Sequence, residues 1–507
     1  MTDHFTGAHG SLLVDDFLEV REVFPRLGAD GFLIRADGSR SARETCLDTA
    51  DRRFERAGYV LAVREDGART DLVLEPSAPR PDGPALRISA PLSTAPAGLD
   101  LETLPAALHD AVRAVTGRAR LGTVRRRTVR RQVFGVARRE RFAGAVTLVE
   151  TTSELPDGRT ETEHRVELDM ATSEDLGELL AALRARLPRL DPAPSVTPET
   201  RRRDHAASRT IAGAAFKAMS RELARCLDHE PGTRLGVDPE ELHDMRVATR
   251  RLRAALRVHR RYLPRGSRRI AREVRWLGSV LGPVRDLDVQ IAWLEARAAE
   301  LPPALRPEIS GIAERLRRRR VEARREMLDA LDSERWVGLV RRATEWLERG
   351  AEAAPARGRR RAKPVAARLI ERRMRRLIRA RAALSPEGNV EELHRLRILG
   401  KRARYALEFH ADRFGKPARR VLRRLVRLQD RLGEHHDIVV FLDRIPALLD
   451  DGGGEAGAAS PALEHLRRTQ SERAEALLEG FPEEFAAFEG RAWRKLRRAL
   501  RGARARG

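Results

Sequence analysis

His243–Leu256 reads HDMRVATRRLRAAL and His394–Leu407 reads HRLRILGKRARYAL, and the reading of this pair decides the fold of more than half of the 507-residue chain. The two stretches lie 151 residues apart. The same offset carries Glu240–Arg246 onto Glu391–Arg397, Leu281-Gly282 onto Leu432-Gly433, Asp286 onto Asp437 and Val289 onto Val440. Upstream it carries Lys217, Arg221 and Arg225 onto Arg368, Arg372 and Arg376, so one ungapped register holds from 217 to 289. Two unrelated arginine-rich helices would match isolated arginines by chance, but not His, Leu-Gly and Asp at a single offset. An internal repeat of this length means two copies of one supersecondary unit.

The repeated unit is helical. From 201 onward, Ala/Leu/Arg-rich segments with a 3.5–3.6-residue period are broken by Asp-Pro, Pro-Arg-Gly and Ser-Pro-Glu-Gly. Asp238, Pro239 and Glu241 have the order of an N-cap, a first-turn proline and a capping-box acid, repeated by Asn389, Val390 and Glu392. With the helix phase fixed there, ~100° per residue places His243, Arg246, Arg250, Arg253 and Arg257 in a band about 80° wide. Leu242, Met245, Leu252 and Leu256 make an adjacent apolar band that can anchor the helix. His394, Arg397, Lys401 and Arg404 repeat the cationic stripe. Like charges at i,i+4 repel by a few tenths of a kcal/mol per pair. A polyanion along the stripe reverses that cost, whereas water alone makes it an ordinary solvated face. His435-His436-Asp437 has the composition of metal ligands, but neighbours on a helix point apart, and Asp437 repeats Asp286; the structural reading is preferred.

The charge count agrees. The chain holds 99 Lys+Arg and 75 Asp+Glu, net +24, but residues 1–200 are net −4 and residues 201–507 are net +28. Such asymmetry points to an anionic partner for the second half. Only five of its cations are lysines (Lys217, Lys363, Lys401, Lys416 and Lys495), and the arginine fork matches phosphate oxygens. Aromatic residues are 4% of the chain, too few for base-stacking platforms. Two distant cysteines, Cys46 and Cys226, exclude a disulfide framework and a cysteine zinc site. No apolar run reaches the roughly 18 residues needed to span a membrane, and no signal-peptide order opens the chain, so a soluble cytoplasmic protein is expected.

The first half has a different texture. Short apolar runs at Phe17–Phe24, Asp71–Glu75 and Ala145–Glu150 alternate with Gly/Pro breaks, and Leu101–Thr116 and Ser173–Leu187 have helical spacing. Glu161–Asp169 (ETEHRVELD) has period two, placing Glu163, Arg165, Glu167 and Asp169 on one strand face. The expected fold is α+β with an antiparallel sheet for 11–190, a linker at 191–200, and an all-α part at 201–500 divided near 350–357. Asp450–Pro461 (DDGGGEAGAASP) reads as a loop between the last helices.

The HDMRVATRRLRAAL and HRLRILGKRARYAL motifs, with LGPVRDLDV and LGEHHDIVV, resemble the CHAD domain, the conserved-histidine α-helical domain. The resemblance implies two four-helix bundles with a basic pore or groove between them that binds inorganic polyphosphate. The implied contacts are His243, Arg246, Arg250, Arg253, His394, Arg397, Lys401 and Arg404, with Lys217, Arg221, Arg368 and Arg372 secondary. Glu44–Arg64 (ETCLDTADRRFERAGYVLAVR) resembles part of a CYTH domain, the triphosphate-tunnel fold, which implies an antiparallel β tunnel or barrel. The family's opening Glu-x-Glu-x-Lys strand aligns best with Phe17-x-Glu19-x-Arg21, lacking one acid; the DLVLEP strand lacks a lysine, and Arg165 interrupts the closing acidic strand. Glu163, Glu167 and Asp169 remain as metal candidates for Mg²⁺ or Mn²⁺. No cofactor is expected for the helical half.

Three functions follow. The first is a module that binds inorganic polyphosphate and so localises the protein to polyphosphate granules. The second is a divalent-metal-dependent triphosphatase or polyphosphatase in the N-terminal half, against which a degenerate, substrate-gripping tunnel is weighed. The third is non-specific nucleic-acid binding. Chain-length preference and oligomeric state are not legible in the sequence.

Overall fold

The computed structural model describes residues 8–67, 69–77, 86–92, 104–138, 141–154, 159–187, 191–192, 209–384, 389–450 and 461–505. The expected linker from 193 to 200 and the loop at 451–460 lie outside the described residues. The chain forms two compact units, one of Met1–Arg201 with Leu227–Leu242 and one of Arg202–Cys226 with His243–Gly507.

The first unit is built on an antiparallel sheet. Its strands are β1 (Ala8–Val14), β2 (Phe32–Thr49), β3 (Tyr59–Asp66), β4 (Arg69–Pro76), β5 (Ile88–Pro91), β6 (Leu121–Arg138), β7 (Arg141–Glu154), β8 (Thr160–Met170) and the two-residue β9 (Asp191–Pro192). Their order is β5-β4-β3-β2-β6-β7-β8-β1-β9. Period-two patterning sorts the faces: in β3, Tyr59, Leu61 and Val63 are buried in an apolar cluster while Arg64 points elsewhere. Helices α3 (Ala106–Thr116) and α2 (Arg53–Arg56) cover that cluster, and α1 (Phe17–Val23) and α4 (Ser173–Arg186) cover a second one over β1, β7 and β8. Gly144 is required where β7 pairs with the end of β8: its φ is +147°, and an added Cβ would lie 2.2 Å from the Asp169 carbonyl oxygen.

Two expectations change here. Phe17-x-Glu19-x-Arg21 belongs to helix α1, because Asp16 caps it by accepting from Leu18 N at 2.5 Å, and Val20 and Val23 are buried at helical spacing. The strand that occupies the opening position, β1, carries AHGSLLV and no carboxylate. The unit boundary is not a single cut near 191–200 either. Helix α6 (Glu230–Leu235) packs in the first unit, where Leu235 joins the cluster of Leu108 and Val112, and buried Arg234 bonds Glu230 at 2.6 Å.

The second unit is helical: α5 (Ile211–Asp228), α7 (Pro239–His259), α8 (Ser267–Ala298), α9 (Arg306–Leu331), α10 (Glu334–Glu348), α11 (Ala362–Ala382), α12 (Val390–Glu408), α13 (Gly415–Asp450), α14 (Pro461–Glu479), α15 (Phe481–Glu489) and α16 (Arg491–Ala505). Shifted by 151, α5, α7, α8 and α9 fall on α11, α12, α13 and α14, and α10 falls on α15 and α16. In the second copy α11, α12, α13 and α16 close one core around Ile370, Leu396, Leu425 and Leu496, with the Phe481, Phe485 and Phe488 rings of α15. In the first copy Phe216 of α5 stacks on Trp346 of α10 at 4.7 Å. The caps differ between copies: Asn389 accepts from Glu392 N at 2.8 Å, but Asp238 accepts from Glu240 N, and Glu241 turns away to His229 at 2.8 Å.

The copies meet at several places among the described residues. The far ends of α8 and α9 join those of α13 and α14 in an apolar cluster of Ile291, Leu294, Ile312, Phe441 and Leu463. Elsewhere His259 meets His410, its own counterpart, with Nε2 atoms 3.2 Å apart and both rings buried. A residue touching its counterpart is what an approximate twofold axis produces. His259 Nδ1–H donates to the Ala255 carbonyl at 2.9 Å, so its Nε2 accepts from His410 Nε2–H. Burial drives the His259 pKa down to about 4, keeping the pair neutral.

Candidate functional site

Helices α7, α11 and α12 surround a cavity of about 720 Å³ in the second unit. From α7 come Arg250, Arg253 and Arg257, spaced i, i+3 and i+7 on one face, with Arg260 just past its end. Helix α11 adds Arg372, Arg373 and Arg376, and α12 adds Lys401 and Arg402. The apolar part of the wall is Ala254, Val258, Ile398, Leu399 and Tyr405. Nine cations and no carboxylate line the cavity among the described residues.

Such a cluster costs free energy, and the titration of its members records it. Lys401 is pushed down to about 8, first by partial burial and then by Arg397 and Arg250. Arg373 falls to about 10, through burial and then Arg372, with Arg376 and Arg402 adding to it. Arg257 is lowered as well, by burial and then by Arg253 and Arg402. A bound anion reverses each of these shifts, because it favours the charged form.

Of the residues expected from the sequence, Arg250, Arg253, Lys401 and Arg372 come together in this cavity. Arg246 instead donates to the Gly282 carbonyl at 2.9 Å and to Asp286 at 2.8 Å on α8, and its counterpart Arg397 lies 3.8 Å from Asp437 on α13. These repeated contacts tie the stripe helix to its neighbour. His394 packs against His436 with ring centroids 4.9 Å apart, and His243 is half-buried. Arg404 pairs with Glu408 at 3.3 Å, and Arg221 with Glu222 at 2.8 Å. Lys217 and Arg368 are exposed on α5 and α11 outside the cavity wall. His435 is buried, its pKa lowered by that burial, so it acts as a packing residue beside His436 and Asp437. Arg257, Arg260, Arg373, Arg376 and Arg402 were not among the expected contacts, although Arg257 lies on the stripe. Arg376 and Arg402 were visible as arginines in register with the repeat, but Arg373 replaces Glu222 at the 151-residue offset and carried no such signal.

The first unit has its own cavity, of about 1130 Å³, bordered by residues of β1, β2, β3, β4, β6, β7 and β8. A cross-strand row crosses its wall: Glu44 on β2 is register partner to Arg127 on β6 and Arg64 on β3. Glu44, with a side chain 0% exposed, accepts from Arg127 at 2.6 Å and Arg64 at 2.7 Å, and Arg64 also bonds Glu75 at 2.5 Å. Burial by itself would raise the Glu44 pKa, but Arg127 and Arg64 outweigh it and hold the carboxyl below its ordinary range. Arg125, Arg127 and Arg131 all come from the Thr123–Gln132 run TVRRRTVRRQ, whose alternation aims them at the cavity. Here carboxylates from Asp48, Glu55, Glu161 and Glu167 share the wall with the arginines.

The three metal candidates are not gathered into one site among the described residues. Glu163 is held by Arg165 at 2.5 Å, Asp169 lies outside the cavity wall, and burial raises the Glu167 carboxyl against the pull of Arg131 and Arg165. Glu44 is occupied by two arginines, β1 supplies no carboxylate, and no group of three metal-binding side chains is present among the described residues. A hard cation needs free carboxylate oxygens.

Residues 217–446 match the family model of the CHAD domain. No curated protein matches the chain. Solved structures similar to it include the CHAD domain from the plant Ricinus communis, 27% identical over 54% of this chain and 92% of that one, with a TM-score of 0.46. Another is PptA from Streptomyces chartreusis, 21% identical over 55% of this chain and 100% of that one, with a TM-score of 0.44. A putative adenylate cyclase from Bacillus halodurans is 17% identical over 39% of this chain and 97% of its own, with a TM-score of 0.27. No described helix is long and apolar enough to cross a membrane.

Proposed function

We propose that this chain, whose residues 217–446 form a CHAD domain, binds inorganic polyphosphate in the cavity walled by α7, α11 and α12, and that this binding localises it to polyphosphate granules. The observation that carries the reading is the nine-cation wall without a carboxylate. A phosphate polymer has charge at every unit and no base to read, so a dense set of arginine forks is sufficient for it. Were all nine cations to engage, the slope of log K against log salt would approach about −6, taking ~0.7 per phosphate for a flexible strand. Nucleic acid is the competing polyanion, and the scarcity of aromatic residues argues against it.

For the first unit the proposed role is to grip phosphate without hydrolysing it. Arg64, Arg127 and Arg165 are paired to carboxylates while Arg125 and Arg131 also face the cavity, and its acids do not suit Mg²⁺ or Mn²⁺. Competition between long-chain polyphosphate and duplex DNA, at matched phosphate and fixed salt, tests the main reading. Polyphosphate is expected to displace DNA; the reverse order sinks it. Orthophosphate release from tripolyphosphate with Mn²⁺ is expected to stay at background, and release that is lost on Glu167→Gln would restore the enzymatic alternative.

A further inference from the structure

Shifting the cavity residues by 151 positions gives the face related to it by the approximate twofold; it shares Arg250, Ala254, Lys401 and Tyr405 with the cavity and differs beyond them. The counterpart of Arg373 is Glu222, and that of Arg257 is Glu408. Glu222, with no exposed surface, accepts from Arg221 at 2.8 Å and from Arg251 at 3.1 Å. Glu408 accepts from Arg251 at 3.3 Å and lies 3.3 Å from Arg404. Bulk is added too: Val258 has Phe409 as its counterpart.

We propose that the helical unit takes a phosphate chain on one face only, the cavity of Arg257 and Arg373, while the Glu222–Arg251–Glu408 network closes the counterpart face. The proposal rests on the polyphosphate reading and adds to it where the chain seats. For Arg251 to bind a phosphate it must leave two carboxylates, one of them fully buried, and an ion stranded without its partner in the interior is strongly disfavoured. In the cavity nothing has to be released, because no carboxylate lines it. The duplicated backbone sets α5, α12 and α7 where the cavity has α11, α7 and α12, and the side chains at two reversed positions separate the open face from the closed one.

The test is calorimetric titration of the full chain with tripolyphosphate, comparing variants so that uptake by the first unit cancels. Arg257→Glu with Arg373→Glu writes the counterpart acids into the cavity and is expected to remove one binding site per chain. Arg251→Gln with Glu408→Gln removes one charge of each sign from the counterpart face, leaves Glu222 bonded to Arg221, and is expected to change affinity less than about threefold. Glu222→Gln with Glu408→Gln frees the second face and is expected to add a site; if that variant does not fold, the first two decide alone. Equal losses from these two variants, or none from Arg257 and Arg373, overturn the one-sided seat while leaving polyphosphate binding intact. An unaltered chain that binds neither tripolyphosphate nor long-chain polyphosphate removes the underlying reading as well.

Discussion

The two cavities of this protein are both rich in arginine, yet they are opposite electrostatic objects. In the sheet unit carboxylates share the wall with the arginines, and the row Arg127–Glu44–Arg64 is a closed ion network on adjacent strands. In the helical unit Arg373, Arg257 and Lys401 face other cations, with pKa values driven down. Paired arginines hold a fold together, whereas arginines held apart from any acid keep their charge available for a ligand. The comparison teaches that a count of basic residues does not locate an anion site. What locates it is where the compensating carboxylates are missing.

Three measurements can break or sharpen that contrast. The largest effect is expected from Glu44→Gln, which strands Arg64 and Arg127 together in the sheet cavity and should destabilise the first unit by about 3 kcal/mol. Denaturant melts report it, and an unchanged midpoint would mean the network carries no stability. Next comes a pH dependence. With a pKa of about 8 in the free protein, Lys401 loses its proton as pH rises through 8, whereas a bound polyanion holds the proton on. Binding therefore takes up a proton above pH 8, and polyphosphate affinity should fall about tenfold between pH 7 and pH 9. Lys401→Arg should flatten that profile, and a flat profile in the unaltered chain would contradict the assignment. The smallest effect has the opposite sign to the first: Arg373→Met should stabilise the helical unit by about 1 kcal/mol by relieving like-charge repulsion, while weakening polyphosphate binding. Loss of stability would show that Arg373, which also donates to the Leu369 carbonyl at 3.3 Å, serves packing first.

Much of the helical unit was legible in the primary structure. Leu242, Met245, Leu252 and Leu256 are buried as their spacing predicts, and the asparagine cap of α12 forms as expected. Local patterns of this kind depend on three- and four-residue neighbours, which a sequence displays directly. The stripe was less reliable as a site. Its members lie on one helix face, but Arg246 and Arg397 are claimed by Asp286 and Asp437, acids that sit 40 residues further along on the next helix. In the first unit the antiparallel sheet and the helices at 106–116 and 173–186 follow their patterns. Helix α1 departs from the strand that the alignment of Phe17-x-Glu19-x-Arg21 implies, because Asp16 caps a helix there and Val20 and Val23 are buried at helical spacing.

By itself the sequence determined the repeat, its 151-residue offset, the helix phases and the change of charge between halves. All of these are properties of order along the chain. Only the tertiary structure decided which cations are free. Glu44 meets Arg127 across 83 residues, and Arg251 meets Glu408 across 157. Arg372, Arg373 and Arg376 join the α7 arginines only when two helices from different repeats pack together. Charge compensation acts over a few ångströms in space, and distances of that kind are set by packing and not by position in the chain.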